Sequence, residues 1–316
     1  MSTIAQNVLG IGPFSEAEAG GLVAELGAAV LPSPTALAAL SAEERAGVAA
    51  VAYKGGAPFG ADEMALLPNL GLIANFGVGY DAIDVAAAVA RNIGVTNTPD
   101  VLNADVADLA VALTLAQFRR LAEGDAWVRS GRWENEAMPL CRKMSGTTVG
   151  ILGLGNIGRE IARRFEAFGM PVHYWSRREK ETPGWTWHAT PVELAGAVEI
   201  LVVIVVGGPD TRHIVDAGVI GALGPAGVLV NVSRGSTVDE EALIAALENG
   251  RLGGAALDVF ESEPRPDRRF AALPNVALYP HGASATHETR AAMARLQRAN
   301  IDAYLTGAPL LTPVTS

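Results

Sequence analysis

Three stretches place polar side chains directly behind apolar runs: VLVNVSRGSTVDEEAL with Arg234, GGAALDVFESEP with Asp258 and Glu263, and NVALYPHGASATHE with His281. An arginine can grip a carboxylate with a rigid two-pronged fork. A histidine oriented by a carboxylate can give or take a proton near neutral pH. Where a cofactor supplies the redox chemistry, an anchor, a proton donor and fixed charge are what the protein must add, and these residues suffice. Each alone also has an ordinary reading: a loop salt bridge for Arg234, a solvated turn for Glu263, a satisfied histidine near a helix start for His281.

A fourth stretch, VGILGLGNIG, spaces Gly153, Gly155 and Gly158 as GxGxxG between an apolar run and a helical pattern. In that context the first glycine permits the tight turn, the second admits a pyrophosphate close to the backbone, and the third lets helix and strand pack. The helix start at Asn156 and Ile157 then faces phosphate with backbone N–H groups and the positive end of its dipole. A dinucleotide is the expected cofactor. About 20 residues beyond the glycines such a unit normally carries an acid for the ribose 2′-hydroxyl. Here VHYWSRREK offers Ser176, Arg177 and Arg178 instead. A hydroxyl and two guanidinium groups suit a 2′-phosphate, so the expected form is NADP, as NADPH. The competing reading makes both arginines a solvated pair offsetting Glu179 and Glu181.

Positioning these groups requires parallel strands alternating with helices. With 316 residues, 49% of them hydrophobic, the chain exceeds what one core usually serves, so two domains are expected. Only 6% of residues are aromatic, whereas Ala, Val, Leu and Gly abound, favouring an α/β class over an all-β sandwich. In the first third, NVLGIG, VAAVAY, LGLIANFG and GVTNT read as strands, with AEAGGLVAELGAAV and DAIDVAAAVARN as helices. After Pro99 the spacing predicts one long helix from about Asp100 to Glu123. A second βα series runs from TTVGILGLGNIG through VHYWSRR, AVEILVVIVVGG, AGVLVNVSRG and LGGAALDVF to NVALYPHGA, followed by the final helix THETRAAMARLQRANIDAYLTG.

The GLGNIG, VNVSRGSTVDEEAL, ALDVFESEP and PHGASAT segments, in this order, resemble the D-isomer specific 2-hydroxyacid dehydrogenases. NFGVGYDAIDV and NTPDVLNADVADLAVAL resemble that family's substrate-domain and crossover segments, so the likeness covers nearly the whole chain. It is nearest to the NADPH-using glyoxylate and hydroxypyruvate reductases, including the hydroxyphenylpyruvate type. The resemblance implies two Rossmann-like doubly wound domains with a cleft between them: a flavodoxin-like substrate-binding domain of residues 1–99 with 287–316, and a dinucleotide-binding domain of residues 100–286. Hinges are expected near Pro99 and between Ala283 and His287. The implied activity is reduction of a small 2-ketoacid, with Arg234 holding its carboxylate, His281 as general acid, Glu263 fixing and charging His281, and Asp258 orienting the nicotinamide carboxamide. Backbone N–H groups of Val78 and Gly79 would cradle the carboxylate, with Lys54 and Gly55 at the neighbouring strand tip. The family's homodimers make Trp133 and the Met138–Leu140 triplet interface candidates, the alternative being that they cap their own core.

The chain departs from the family pattern at Gly282 and Ala283, where an isoleucine-glycine pair is frequent, and at VVGGPDTRH, where Leu-Pro-Leu is frequent. A glutamate rather than a glutamine at position 263 speaks against the formate dehydrogenase branch, and the basic ribose position against the NAD-preferring phosphoglycerate dehydrogenases. A nucleotide-sensing corepressor is the alternative from another class. A net charge of −10 gives no electrostatic footprint for nucleic acid. The N-terminal MSTIAQNVLGIGPF has no leader pattern, and Ala197 to Val206 is too short to span a bilayer. Cys141 is the only cysteine, fitting a reducing compartment, so a cytoplasmic location is expected and no metal is. His173, His188, His213 and His287 are read as structural.

Overall fold

The computed structural model describes residues 7–314. The chain divides into two compact units, one running to Leu102 and resuming at Thr286, the other Asn103–Ala285. In the first, strands β1 (Val8–Ile11), β2 (Ala29–Leu31), β3 (Ala50–Tyr53), β4 (Leu72–Asn75) and β5 (Gly94–Thr96) form a parallel sheet in the order β2-β1-β3-β4-β5. Helices α1 (Glu16–Leu26), α2 (Ala42–Ala46), α3 (Ala61–Ala65) and α4 (Val85–Ala90) connect them. Every residue of β1, β3 and β4 is buried, as expected of strands covered on both faces. Alternation divides them: Leu9, Ile11, Val51, Tyr53 and Ile73 join one core layer, and Val8, Ala50, Ala52, Leu72 and Ala74 the other.

Strand β2 corrects the sequence reading, in which AEAGGLVAELGAAV was wholly helical. Gly27, with φ of 59°, ends α1 and returns its N–H to the helix, leaving Ala29–Leu31 free to pair with β1.

In the second unit α5 (Asn103–Arg119) and α6 (Leu121–Arg129) precede a seven-stranded parallel sheet ordered β12-β11-β10-β9-β6-β7-β8. Its strands are β6 (Val149–Leu152), β7 (Val172–Trp175), β8 (Thr186–His188), β9 (Ile200–Val203), β10 (Val228–Asn231), β11 (Gly254–Leu257) and β12 (Val276–Leu278), linked in part by α7 (Asn156–Ala167), α8 (Pro191–Gly196), α9 (Ala217–Leu223) and α10 (Glu240–Glu248). The order reverses between β6 and β9, and ligands of such sheets bind beyond the strand C-termini at that switch. The edge strand β8 is absent from the sequence reading, because TWH is only three residues long. One face of the sheet carries the apolar layer of Leu194, Val219, Ile220, Leu243, Ile244 and Leu247 against Leu201, Leu229 and Leu257. The other face receives α5.

The single helix expected from Asp100 to Glu123 is two. Arg120 sits in the left-handed region with φ of 49°, and the returning arm takes over the carbonyls that a longer helix would have used. Arg142 N–H donates to Phe118 O, its guanidinium covers the Phe118 ring, and Cys141 Sγ lies 3.3 Å from Arg119 O.

The last helix, α11 (His287–Thr306), belongs to the first unit. It buries Ile301 against Ala50, Ala52 and Leu72, while the buried Gln297 amide donates to Tyr53 O at 3.2 Å and Ala74 O at 2.8 Å. Among the described residues no helix is long and apolar enough to cross a membrane, and no cluster of three or more His, Cys, Asp or Glu could hold a metal ion.

Candidate active site

The glycine turn joins β6 to α7. Gly153 adopts φ of 113°, and a Cβ there would lie 2.5 Å from Ile204 O, so glycine is required twice over. A Cβ on Gly158 would strike Gly153 O at 2.1 Å, whereas one on Gly155 would meet nothing within 4 Å. The turn is therefore closed on the protein side and open at Gly155, and Gly155, the N-cap of α7, contributes no side-chain cap of its own. Those features suit the pyrophosphate of a dinucleotide.

Beside it, Gly153 N–H donates to Trp175 O, so the tip of β7 lies next to the glycines. Arg177 and Arg178 are exposed, and among the described residues neither guanidinium makes a hydrogen bond or ion pair, despite Glu179 and Glu181 nearby. Neither arginine forms a direct ion pair with Glu179 or Glu181 among the described residues, and both guanidinium groups are exposed to solvent. Ser176 behaves differently from the expected ligand hydroxyl: it is 8% exposed and its Oγ–H donates to Arg178 O at 2.6 Å. It shapes the turn that displays the arginines, leaving only lone pairs for a ligand.

At the ends of β10, β11 and β12 the structure brings Arg234, Asp258, Glu263 and His281 to one edge. Arg234 follows β10 on a turn whose carbonyl accepts from Asn231 Nδ2 at 3.0 Å and Thr237 Oγ1 at 2.6 Å. Gly235 packs so tightly that a Cβ would lie 1.9 Å from Phe260 C, which seats the arginine turn directly on the segment leading to Glu263. Glu263 Oε1 accepts from Phe260 N–H at 2.9 Å, and Oε2 lies 2.5 Å from His281 Nδ1. With Nδ1 bound to the carboxylate, Nε2 is the ring nitrogen left for a substrate. Burial alone would raise the Glu263 carboxyl, but the His281 bond and charge, the Phe260 N–H and the charge of Arg234 hold it below the ordinary value.

His281 itself adopts φ of 47°, unusual for a residue with a Cβ. Asp258 stabilises this conformation: its backbone O accepts from His281 N–H at 2.7 Å, and its carboxylate oxygens accept from Gly282 N–H at 2.7 Å and Ala283 N–H at 3.1 Å. Burial pushes the Asp258 carboxyl up despite those bonds. Phe260, Pro264, Leu278 and Tyr279 line a cavity of about 270 Å³ beside the Glu263–His281 pair.

In the first unit, Lys54, Gly55, Val78 and Gly79 lie beyond the C-termini of β3 and β4. Lys54 is held in place rather than solvated: its side chain is 16% exposed, its Nζ lies 2.5 Å from Glu18 Oε2, and it stands 4.9 Å from the Phe76 ring centroid. Glu18 also accepts from Ser15 N–H in the capping box of α1. The Val78 to Gly79 turn is stiffened by Asn75 Nδ2, which donates to Gly77 O and Gly79 O, and by Asn97 Nδ2, which donates to Val78 O.

Residues 111–283, more than half of the chain, match the family model for the NAD-binding domain of D-isomer specific 2-hydroxyacid dehydrogenases. The chain is 51% identical over 265 residues to a glyoxylate/hydroxypyruvate reductase A of Arabidopsis thaliana, covering 83% of this chain and 85% of that one. The chain belongs to the D-isomer specific 2-hydroxyacid dehydrogenase family. It is also 46% identical over 283 residues to a hydroxyphenylpyruvate reductase of Plectranthus scutellarioides, covering 90% of each. A solved structure of an NADPH-dependent glyoxylate/hydroxypyruvate reductase from Sinorhizobium meliloti, in complex with NADP and malonate, superposes with a TM-score of 0.93 at 45% identity, over 98% of this chain and 97% of that one.

As a member of the 2-hydroxyacid dehydrogenases, the chain surrounds its familiar segments with supports that sequence reading left unremarked. Asn231, Ser233 and Thr237 are buried polar groups, and Ser233 Oγ donates to Val205 O at 2.6 Å. Their signal was three small polar residues clustered where an apolar strand ends. His213, read as structural, pairs through Nε2 with Glu261 at 2.6 Å, and Glu261 N–H donates to Glu240, bracing the segment that carries Glu263.

Proposed function

We propose that this dehydrogenase is an NADPH-dependent reductase of a small 2-ketoacid such as glyoxylate or hydroxypyruvate. The observation that carries the reading is the 2.5 Å contact of Glu263 with His281 at the sheet edge that also presents Arg234. Bound NADPH supplies the hydride. Arg234 holds the substrate carboxylate and polarises the keto oxygen, and His281 delivers a proton from Nε2 to that oxygen as C2 is reduced. Glu263 fixes the ring through Nδ1 and stabilises the imidazolium. Gly153, Gly155, Asn156, Ile157 and Gly158 take the pyrophosphate. Arg177 and Arg178 take the 2′-phosphate, with Ser176 shaping their turn. Asp258, whose oxygens retain lone pairs beyond their two backbone bonds, orients the carboxamide. In the first unit, the substrate-binding half, Val78 and Gly79 N–H groups meet the carboxylate, and Lys54 and Gly55 form the neighbouring wall.

A homodimer is part of the proposal. Trp133 is 68% exposed and Leu140 fully exposed, so neither caps the core of its own unit, whereas Met138 is half-buried; the exposed pair is suited to burial by a second copy. A reducing cytoplasm suits the single cysteine. A panel of 2-ketoacids assayed with NADPH and NADH tests the whole reading, which would be wrong if no 2-ketoacid were reduced. The 46% identity to a hydroxyphenylpyruvate reductase favours including aromatic 2-ketoacids in the panel.

A further inference from the structure

We propose that Lys180 is a positioning residue for coenzyme discrimination, holding the arginine-bearing loop against the glycine turn. The inference rests on the NADPH reading and adds to it a residue outside the GxGxxG and SRR segments. The loop after β7 would otherwise be a short exposed run of charged residues, whose free conformations cost entropy to order around a ligand. Three ties remove most of that freedom. The buried Tyr174 hydroxyl accepts from Lys180 N–H and donates to Lys180 O, both at 2.9 Å, closing residues 174–180 into a ring. Inside that ring the Ser176 hydroxyl donates to Arg178 O. Lys180 Nζ then reaches across to Leu154 O, within the glycine turn itself, at 2.6 Å. Arg159, on the first turn of α7, adds a donor to Glu181 O at 3.0 Å.

The Lys180 tie runs from the far end of the loop to a carbonyl of the pyrophosphate turn, whereas the Gly153 N–H bond to Trp175 O holds only the end of the strand. It therefore fixes the distance between the site for the phosphates that every dinucleotide shares and the site for the 2′-phosphate that only NADP carries. Arg177 and Arg178 gain by arriving already placed, since a preorganised donor loses less on binding. A ligand lacking the 2′-phosphate makes no use of that placement. Lys180 is itself exposed, so its replacement leaves the core untouched.

The test is calorimetric titration of the full chain with 2′,5′-ADP and with 5′-AMP. Lys180→Met keeps the aliphatic stem and removes the donor. It is expected to weaken 2′,5′-ADP about ten-fold, the scale of one charge-assisted hydrogen bond, while 5′-AMP changes by less than about two-fold. Lys180→Arg, which restores a donor, should recover most of the loss. In the background of Arg177→Ala with Arg178→Ala, Lys180→Met should add little, because coupled residues are not additive. Equal weakening of both nucleotides, no weakening of either, or fully additive losses would each overturn the role. A wild-type chain that bound 2′,5′-ADP no better than 5′-AMP would instead overturn the NADPH reading and take this inference with it. Wild-type preference that survives unchanged in Lys180→Met would sink Lys180 alone.

Discussion

The two ends of the larger sheet's ligand edge treat charge in opposite ways. Beyond β7, Arg177 and Arg178 are exposed without hydrogen-bond or ion-pair partners among the described residues, on a loop tied down through its backbone, Ser176 and Lys180. Beyond β11 and β12, Glu263 and His281 are bonded to each other, and the buried Asp258 carboxylate accepts from two backbone N–H groups. A charge left unpartnered on a rigid loop keeps its binding energy for a ligand. A charge already paired has had its protonation state chosen in advance. The first arrangement serves recognition and the second serves proton transfer, and the same protein affords both because strand ends are held apart by a rigid sheet.

His281→Asn attacks the catalytic end most directly. Asparagine tolerates the left-handed backbone better than most residues, so the turn survives while the proton donor is lost. Turnover of glyoxylate with NADPH is expected to fall by roughly 10²–10⁴-fold, and near-normal turnover would remove the general-acid role. Glu263→Gln should cost less, about 10- to 100-fold in kcat with a smaller change in KM, because the His281 ring loses its charged partner at Nδ1 while Arg234 is left in place to hold the substrate. Unchanged turnover would separate Glu263 from the proton transfer.

At the other end, Arg177→Ala with Arg178→Ala should lower the NADPH-to-NADH ratio of kcat/KM by about ten-fold or more, at ~1.5–3 kcal/mol per charge-assisted bond. Turnover at saturating coenzyme should change little, and an unaltered ratio would erase the contrast between the two ends. The smallest effect concerns stability. The Glu263 carboxyl is held below its ordinary value in the fold, so its contribution is present at neutral pH and is lost as the pH falls through the folded value. The melting-temperature advantage of the wild type over Glu263→Gln should accordingly shrink as the pH falls below the ordinary carboxyl value of 4.5. An advantage that stayed constant as the pH fell would show that the carboxylate is not titrating as described.

The α/β class, the parallel sheets and the polar strand ends were legible in sequence because each leaves a local mark: buried apolar runs, a spaced glycine turn, and polar residues where those runs stop. What escaped reading lacks such marks. Strands β2 and β8 are three-residue edges without periodicity. The break at Arg120 involves neither glycine nor proline and is imposed by Cys141 and Arg142 returning from over 20 positions away. The Lys54–Glu18 pair joins residues 36 positions apart, and only the fold could introduce them. Ser176 was legible as a residue at the ribose position, yet its hydroxyl proton is committed to Arg178 O, a matter of loop geometry rather than residue type.

Gln297 and Ile301 carry a consequence for synthesis. The helix that closes the β3–β4 side of the first unit is encoded after the whole of Asn103–Ala285. At ~5–20 residues per second a ribosome needs on the order of 10–40 s to cross that stretch. The first unit to emerge is therefore the last to be finished, its five strands already made but lacking the helix that covers β3 and β4, while the second folds from one uninterrupted segment.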